Sequence, residues 1–138
     1  IPYQSVDYSK PQELARDIYH AIGKWTDLPE CLRFEGDGDG EIVISYQANA
    51  AVVVVEPGPK GPQKFEVIQD GEPLSDLEGL DTIREGDRTV VHCRHPRLYK
   101  IVKNKDVERH TLTLRTKSIG IKFYSLNFIT ATILKNSN

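Results

Sequence analysis

The sequence predicts an all-β domain of about eight to ten short antiparallel strands, packed as a sandwich or barrel. Three observations carry this expectation. Period-2 alternation and β-branched runs dominate from Glu41 onward. Four consecutive valines, Val52 to Val55, disfavour a helix because the stiff χ1 of valine crowds the preceding turn. Turn residues such as Asp70-Gly71 and Asn104-Lys105-Asp106 divide the alternating runs at short intervals.

The N-terminal part admits two readings. Ser9-Lys10-Pro11-Gln12-Glu13 resembles a helix start, with a capping serine, proline just inside and an acid in the first turn. Leu14, Ile18 and Ile22 then recur four apart, so residues 12–22 read alone as an amphipathic helix. The competing reading makes residues 17–25 a strand. From there the elements are strands at 41–47 and 51–56, with the valine run suited to a strand covered on both faces. Pro57-Gly58-Pro59-Lys60-Gly61-Pro62 must be a loop, since its prolines lack N–H donors and its glycines lack Cβ atoms. Residues 64–69 resume the sheet, and Asp70-Gly71 is a tight hairpin turn with glycine taking the positive φ. In the acidic stretch 73–86, Leu74, Leu77, Leu80 and Ile83 recur every three residues, which fits a helical turn or two or a covering loop, and the loop is the reading preferred. Strands return at 88–94, 98–103, 110–116 and 121–130, and Ser118-Ile119-Gly120 turns the chain between the last two.

The chain has 138 residues, 38% of them hydrophobic, with 18 basic and 20 acidic side chains. That suits one domain over residues 1–138 with residues 1–16 as an N-terminal extension, and it excludes a disordered chain. The longest apolar run, Ala50 to Val55, is far short of the ~20 residues of a membrane helix, so no membrane insertion by this segment is expected. A chain that opens on Ile1 and holds no methionine is expected to be processed or cut from something longer. The charge balance hides a split: residues 1–87 carry 7 basic and 18 acidic groups, residues 88–138 carry 11 and 2.

Several constellations have chemistry-bearing side chains. Asp37, Asp39 and Glu41 lie on one glycine-rich loop, the hard oxygen ligands that suit Ca²⁺, although aspartate and glycine are also ordinary turn residues and the glycine spacing is not that of an EF-hand. His92, Cys93, His95 and His110 are metal-capable, and a small metal-dependent β-barrel enzyme would use His92, His95 and His110. In a strand, however, His92 and Cys93 point to opposite faces. Cys31 and Cys93 form no CxxC motif, which leaves either two buried thiols or one long-range disulfide. Arg94, Arg97, Lys100, Lys103, Lys105, Arg109, Arg115, Lys117 and Lys122 make the C-terminal part basic, but alternation scatters them over both faces and few aromatics accompany them, so no nucleic-acid partner is expected. Trp25 is the single tryptophan, either a stacking platform for a sugar ring or a core residue. No phosphate-binding glycine loop, GxSxG elbow or HExxH motif occurs, and nothing argues for catalysis.

A set of landmarks recurs in a consistent order: Gly23-Lys24-Trp25-Thr26, then Ile42-Val43-Ile44-Ser45-Tyr46-Gln47-Ala48 and the valine run, then Gln69-Asp70-Gly71-Glu72-Pro73-Leu74. Pro96-Arg97-Leu98-Tyr99-Lys100-Ile101-Val102, His110-Thr111-Leu112-Thr113-Leu114 and the closing Phe123-Tyr124-Ser125-Leu126-Asn127-Phe128 complete it. Over residues 17–130 this resembles the C-terminal β-domain that follows the thioredoxin-like domain in DipZ-type proteins and related redoxin fusions. The final strand departs from that family in lacking a closing glycine, and residues 1–12 are unlike its entry segment. The resemblance implies a jelly-roll sandwich similar to carbohydrate-binding modules, without catalytic residues, and favours the strand reading of residues 17–25.

The resulting expectation is a non-catalytic accessory recognition domain with no cofactor of its own, attached in the parent chain to a thioredoxin-like domain, and binding a glycan or docking a protein partner. Trp25, Tyr46, Tyr99 and Tyr124 are the aromatics a sugar site would use, with Arg97 and His110 at a ligand rim. Burial of those rings would favour docking over sugar stacking. A third reading is a structural module that works through its bipolar charge. With two cysteines and no targeting segment to consult, cytoplasm and periplasm both stay open.

Overall fold

The computed structural model describes residues 4–8, 11–14 and 17–130. Among them no helix occurs, and the chain runs through β1 (Gln4–Tyr8), β2 (Pro11–Leu14), β3 (Asp17–Asp27), β4 (Leu32–Phe34), β5 (Gly40–Gln47), β6 (Ala50–Glu56) and β7 (Gln63–Gln69). It continues through β8 (Glu72–Pro73), β9 (Ile83–Glu85), β10 (Arg88–Cys93), β11 (Arg97–Lys103), β12 (Arg109–Thr116) and β13 (Lys122–Ile129). The count exceeds about ten because short strands, β1, β2, β8 and β9, flank the principal ones.

The principal strands form a jelly roll. One layer has the order β11-β6-β13-β4, the other β5-β12-β7-β10, all antiparallel, so that successive strands wrap from layer to layer. The strand β3 belongs to both. Its first half pairs with β5 (Tyr19 with Ile44, Ile22 with Glu41), and its second half pairs with β4 (Trp25 with Phe34, Asp27 with Leu32). The pivot is Gly23, at φ +101°, where a Cβ would stand 2.8 Å from the carbonyl oxygen of Asp39. Glycine is required there on both counts, and one strand turning a corner joins the two sheets.

Of the two readings of residues 12–22 the strand holds and the helix does not: β2 and β3 occupy residues 11–14 and 17–27. A spacing of four is also a multiple of two, so Leu14, Ile18 and Ile22 satisfy a strand as well as a helix. The core-facing residues of β3 are Tyr19, Ala21 and Trp25, while Ile22 stays 44% exposed. Residues 73–86 are mainly loop as expected, apart from the short β9.

Between the layers, alternate residues interdigitate: Ile42, Ile44 and Tyr46 of β5, Val53 and Val55 of β6, Leu112 and Leu114 of β12. The valine run is buried on its inward face only, since Val52 and Val54 are half-buried rather than enclosed. In β13 the register shifts between Phe123 and Ser125. Phe123 and Leu126 then both stand opposite inward valines, Val55 and Val53. The inward row is Phe123, Leu126 and Phe128, and the bulge removes Tyr124 from the row that strict alternation would give it.

Candidate functional site

A polar cleft lies at one end of the sandwich, where the β7–β8 turn, the acidic loop after it and the β11–β12 loop meet. It measures about 450 Å³ and is lined by Gln69, Asp70, Asp76, Lys103, Asn104 and His110 among others. Local chemistry builds it. Asp70 takes φ 54° at the tight turn, a conformation that aspartate tolerates better than most residues. One of its carboxylate oxygens accepts the Thr111 N–H at 2.8 Å, and the other lies 2.7 Å from His110 Nδ1. These two bonds, the imidazole first, hold the Asp70 carboxyl below its ordinary range against a small opposing push from burial.

Behind this pair, Tyr46 reaches from the core to the cleft. Its hydroxyl donates to Gln69 Oε1 and accepts from Asn104 Nδ2 at 2.7 Å. Asn104 also donates to the Ala48 carbonyl at 3.1 Å and accepts from Gln69 Nε2 at 2.8 Å. The backbone N–H of Asn104 bonds the Asn49 carbonyl at 2.6 Å, locking the β5–β6 and β11–β12 loops together. The Tyr46 ring stacks on Phe128 with centroids 4.6 Å apart and sits 5.8 Å from the His110 ring. Two predicted ligand residues, Tyr46 and His110, thus converge here.

The other candidates lie elsewhere. Trp25 is fully buried, packed edge-on against Phe34 and Phe123, with its indole N–H on the Ile22 carbonyl. Tyr99 is 1% exposed and donates to the His95 carbonyl at 2.6 Å. Arg97 lies over the Tyr99 ring, 4.1 Å from its centroid, and pairs with Asp81 at 3.1 Å. Tyr124 is half-buried, and its bond to Glu56 at 2.7 Å pushes its pKa up to about 12. The rings of Trp25, Tyr46 and Tyr99 are therefore core, with no face free for a sugar.

The metal-capable residues are dispersed. Among the described residues no group of three or more histidine, cysteine, aspartate or glutamate side chains is placed to hold an ion. Asp37 pairs with Lys24, Asp39 with Lys117 and Glu41 with Arg115. His92 bonds Glu85 while His110 bonds Asp70, so the histidines of the enzyme reading serve different carboxylates. Cys31 and Cys93 are both free and buried, and burial pushes both thiols up.

The charge split along the chain closes up in space. Arg97 meets Asp81, Lys103 meets Asp76 and Glu78, Arg115 meets Glu41 and Glu66, and Lys117 meets Asp39. Each of these cations comes from the basic segment and each partner from the acidic one, which weakens both the polyanion and the bipolar readings. Gln69, Asp70 and Asn104 were not among the predicted ligand residues. Their only sequence signal is that both turns flank strands destined for one sheet.

The family model of the thioredoxin-like C-terminal domain matches residues 2–128. The chain belongs to that family. This thioredoxin-like C-terminal domain also resembles solved structures of carbohydrate esterases. An active-site mutant of a family two carbohydrate esterase from Clostridium thermocellum superposes with TM-score 0.60 at 19% identity, covering 86% of this chain and 31% of that one. A second structure of the Clostridium thermocellum enzyme, in complex with cellohexaose, gives TM-score 0.53 at 21% identity, with 72% and 27% covered. The family two esterase from Cellvibrio japonicus gives 0.59 at 12%, with 90% and 32% covered. The domain spans roughly a third of the length of these esterases, and the likeness is one of fold. Among curated proteins, none matches at the sequence level.

Proposed function

We propose that this domain is a non-catalytic accessory module that serves a thioredoxin-like domain by docking a protein surface, using the polar end around Asp70 and His110. The observation that carries the reading is an open cleft rich in carboxylates, in a domain whose Trp25, Tyr46 and Tyr99 rings are buried in the core. Sugar recognition by jelly-roll modules relies on exposed aromatic faces, whereas charged, hydrogen-bonding rims guide protein association. Cys31 and Cys93 are buried, and burial pushes both thiols up, which favours a supporting rather than a redox role for this domain.

A glycan is the second reading, favoured by the planar amides of Gln69 and Asn104 at the cleft. Calorimetric titration separates the two. The domain is titrated with the thioredoxin-like domain encoded in the same reading frame and, separately, with cellohexaose. Docking predicts saturable binding to the former that weakens with salt and in Asp70→Asn, and none to the sugar. Binding of cellohexaose alone, or a reading frame without a thioredoxin-like domain, overturns the docking reading.

A further inference from the structure

A second opening lies on the flank of the sandwich. There β13 bulges at Tyr124, between Phe123 and Ser125, and β4 pairs with β13 only at Lys122 and Phe123, short of the bulge. A bulge bends its strand and interrupts the ladder, which leaves the layers less tightly closed beside it. A cavity of about 220 Å³ enters between the two layers at this point. Its apolar wall comes from both: Tyr19, Ile42 and Leu114 from one, Val53, Phe123 and Leu126 from the other.

Two observations say what this cavity takes. The first is Tyr19, which is 4% exposed and yet makes no hydrogen bond to any described residue through its hydroxyl. No fully enclosed polar side-chain atom of the described residues lacks a partner, so this oxygen opens to the cavity instead of being sealed in the core. Burial pushes the phenol's pKa up, with the Asp27 charge adding to it, so the hydroxyl keeps its proton and can donate or accept. A hydroxyl so placed gains from any oxygen that reaches it away from bulk water. The second observation is the lining. Apolar voids of about 150 Å³ already accept benzene, so this one has room for a single ring with a small substituent. Among the described residues no lysine, arginine or histidine lines it, so nothing there compensates a carboxylate or phosphate carried in by a ligand.

We infer that the cavity is a binding site for a neutral small molecule of one aromatic ring bearing one hydrogen-bonding oxygen, a phenol in the simplest case. The ring fills the space between the layers, and its oxygen pairs with the Tyr19 hydroxyl. Apolar contact provides the affinity and the single hydrogen bond the orientation. This goes beyond the docking reading, and the described lining residues of the cavity and of the polar cleft do not overlap.

The test titrates the full chain with p-cresol, toluene, p-toluate and N-acetyltyrosinamide, followed by amide and methyl chemical shifts, in the unsubstituted protein and in Tyr19→Phe. p-Cresol should bind saturably, with the largest shifts at Ile42, Val53, Leu114 and residues 123–126. Tyr19→Phe removes only an oxygen without a partner among the described residues, so the fold should be kept, and urea midpoints check it. In that variant the affinity for p-cresol relative to toluene should fall at least about fivefold. On the unsubstituted chain p-toluate and N-acetyltyrosinamide should bind at least about tenfold more weakly than p-cresol, the first for its charge and the second for its bulk. No saturable shift at the cavity, an unchanged p-cresol-to-toluene ratio in Tyr19→Phe, or p-toluate binding as tightly as p-cresol each overturns the inference. N-Acetyltyrosinamide binding as tightly as p-cresol overturns it too, since the occupant is then a tyrosine side chain of a protein and not a small molecule. The probes compared on the unsubstituted chain decide the question even if Tyr19→Phe does not fold.

Discussion

His110 and Asp70 meet side chain to side chain across the β7–β12 pairing, 2.7 Å apart, while the same carboxylate caps the Thr111 N–H. The carboxyl is thereby stabilised in its charged form, so its pKa lies lower in the folded than in the unfolded chain. Such a group adds stability above its unfolded value, about 3.9, and that stability is lost as pH falls through the lowered folded value. Asp70→Asn keeps a residue that tolerates the turn's positive φ but removes the charge. Urea titrations should show a loss of about 0.5–1 kcal/mol at neutral pH and a shallower fall in stability below about pH 4. An acid limb identical to that of the unsubstituted chain would contradict this assignment.

Gly23 and Gly71 separate two costs that glycine avoids. Both have positive φ, +101° and +80°, but only Gly23 has an atom in the way, Asp39 O at 2.8 Å, while nothing lies within 4 Å at Gly71. Gly71→Ala should cost about 1–2 kcal/mol, the conformational term alone. Gly23→Ala adds displacement of the strand that pairs beside it and should cost roughly 3 kcal/mol or more. The comparison is read from denaturant midpoints, and equal costs would show that the sheet corner is more pliable than its geometry implies.

Much of this fold was legible because its signals are local. The proline–glycine loop, the Asp70-Gly71 turn and the alternating runs need only their own backbone chemistry. Even the inward aim of Tyr46 is implied by its sharing a strand face with Ile42 and Ile44, as Tyr99 does with Ile101. Three things were not legible. Residues 12–22 satisfy both periods, the extra residue at Tyr124 shifts the face of all that follows, and the Gln69–Tyr46–Asn104 cluster joins side chains up to 58 positions apart. Only tertiary packing decides these.

The two cysteines give a chemical prediction. Burial raises both thiols, with the nearby Lys122 and Arg33 countering it only in part at Cys31. A thiol-specific chromophore should react at least tenfold more slowly with the native domain than with the urea-unfolded chain, in which two thiols titrate. Fast native labelling of either residue would point to a redox role that the proposed accessory function lacks.

The function proposed for this thioredoxin-like C-terminal domain requires that it recognise its partner at the polar end. Amide chemical-shift mapping during titration with the thioredoxin-like domain of the same reading frame tests it most directly. Docking at the polar end should concentrate shifts at residues 69–76 and 103–111, and His110→Ala should weaken binding at least fivefold with the fold retained. Shifts spread evenly over the surface, or an interface that leaves Asp70, Asn104 and His110 unchanged, would contradict it.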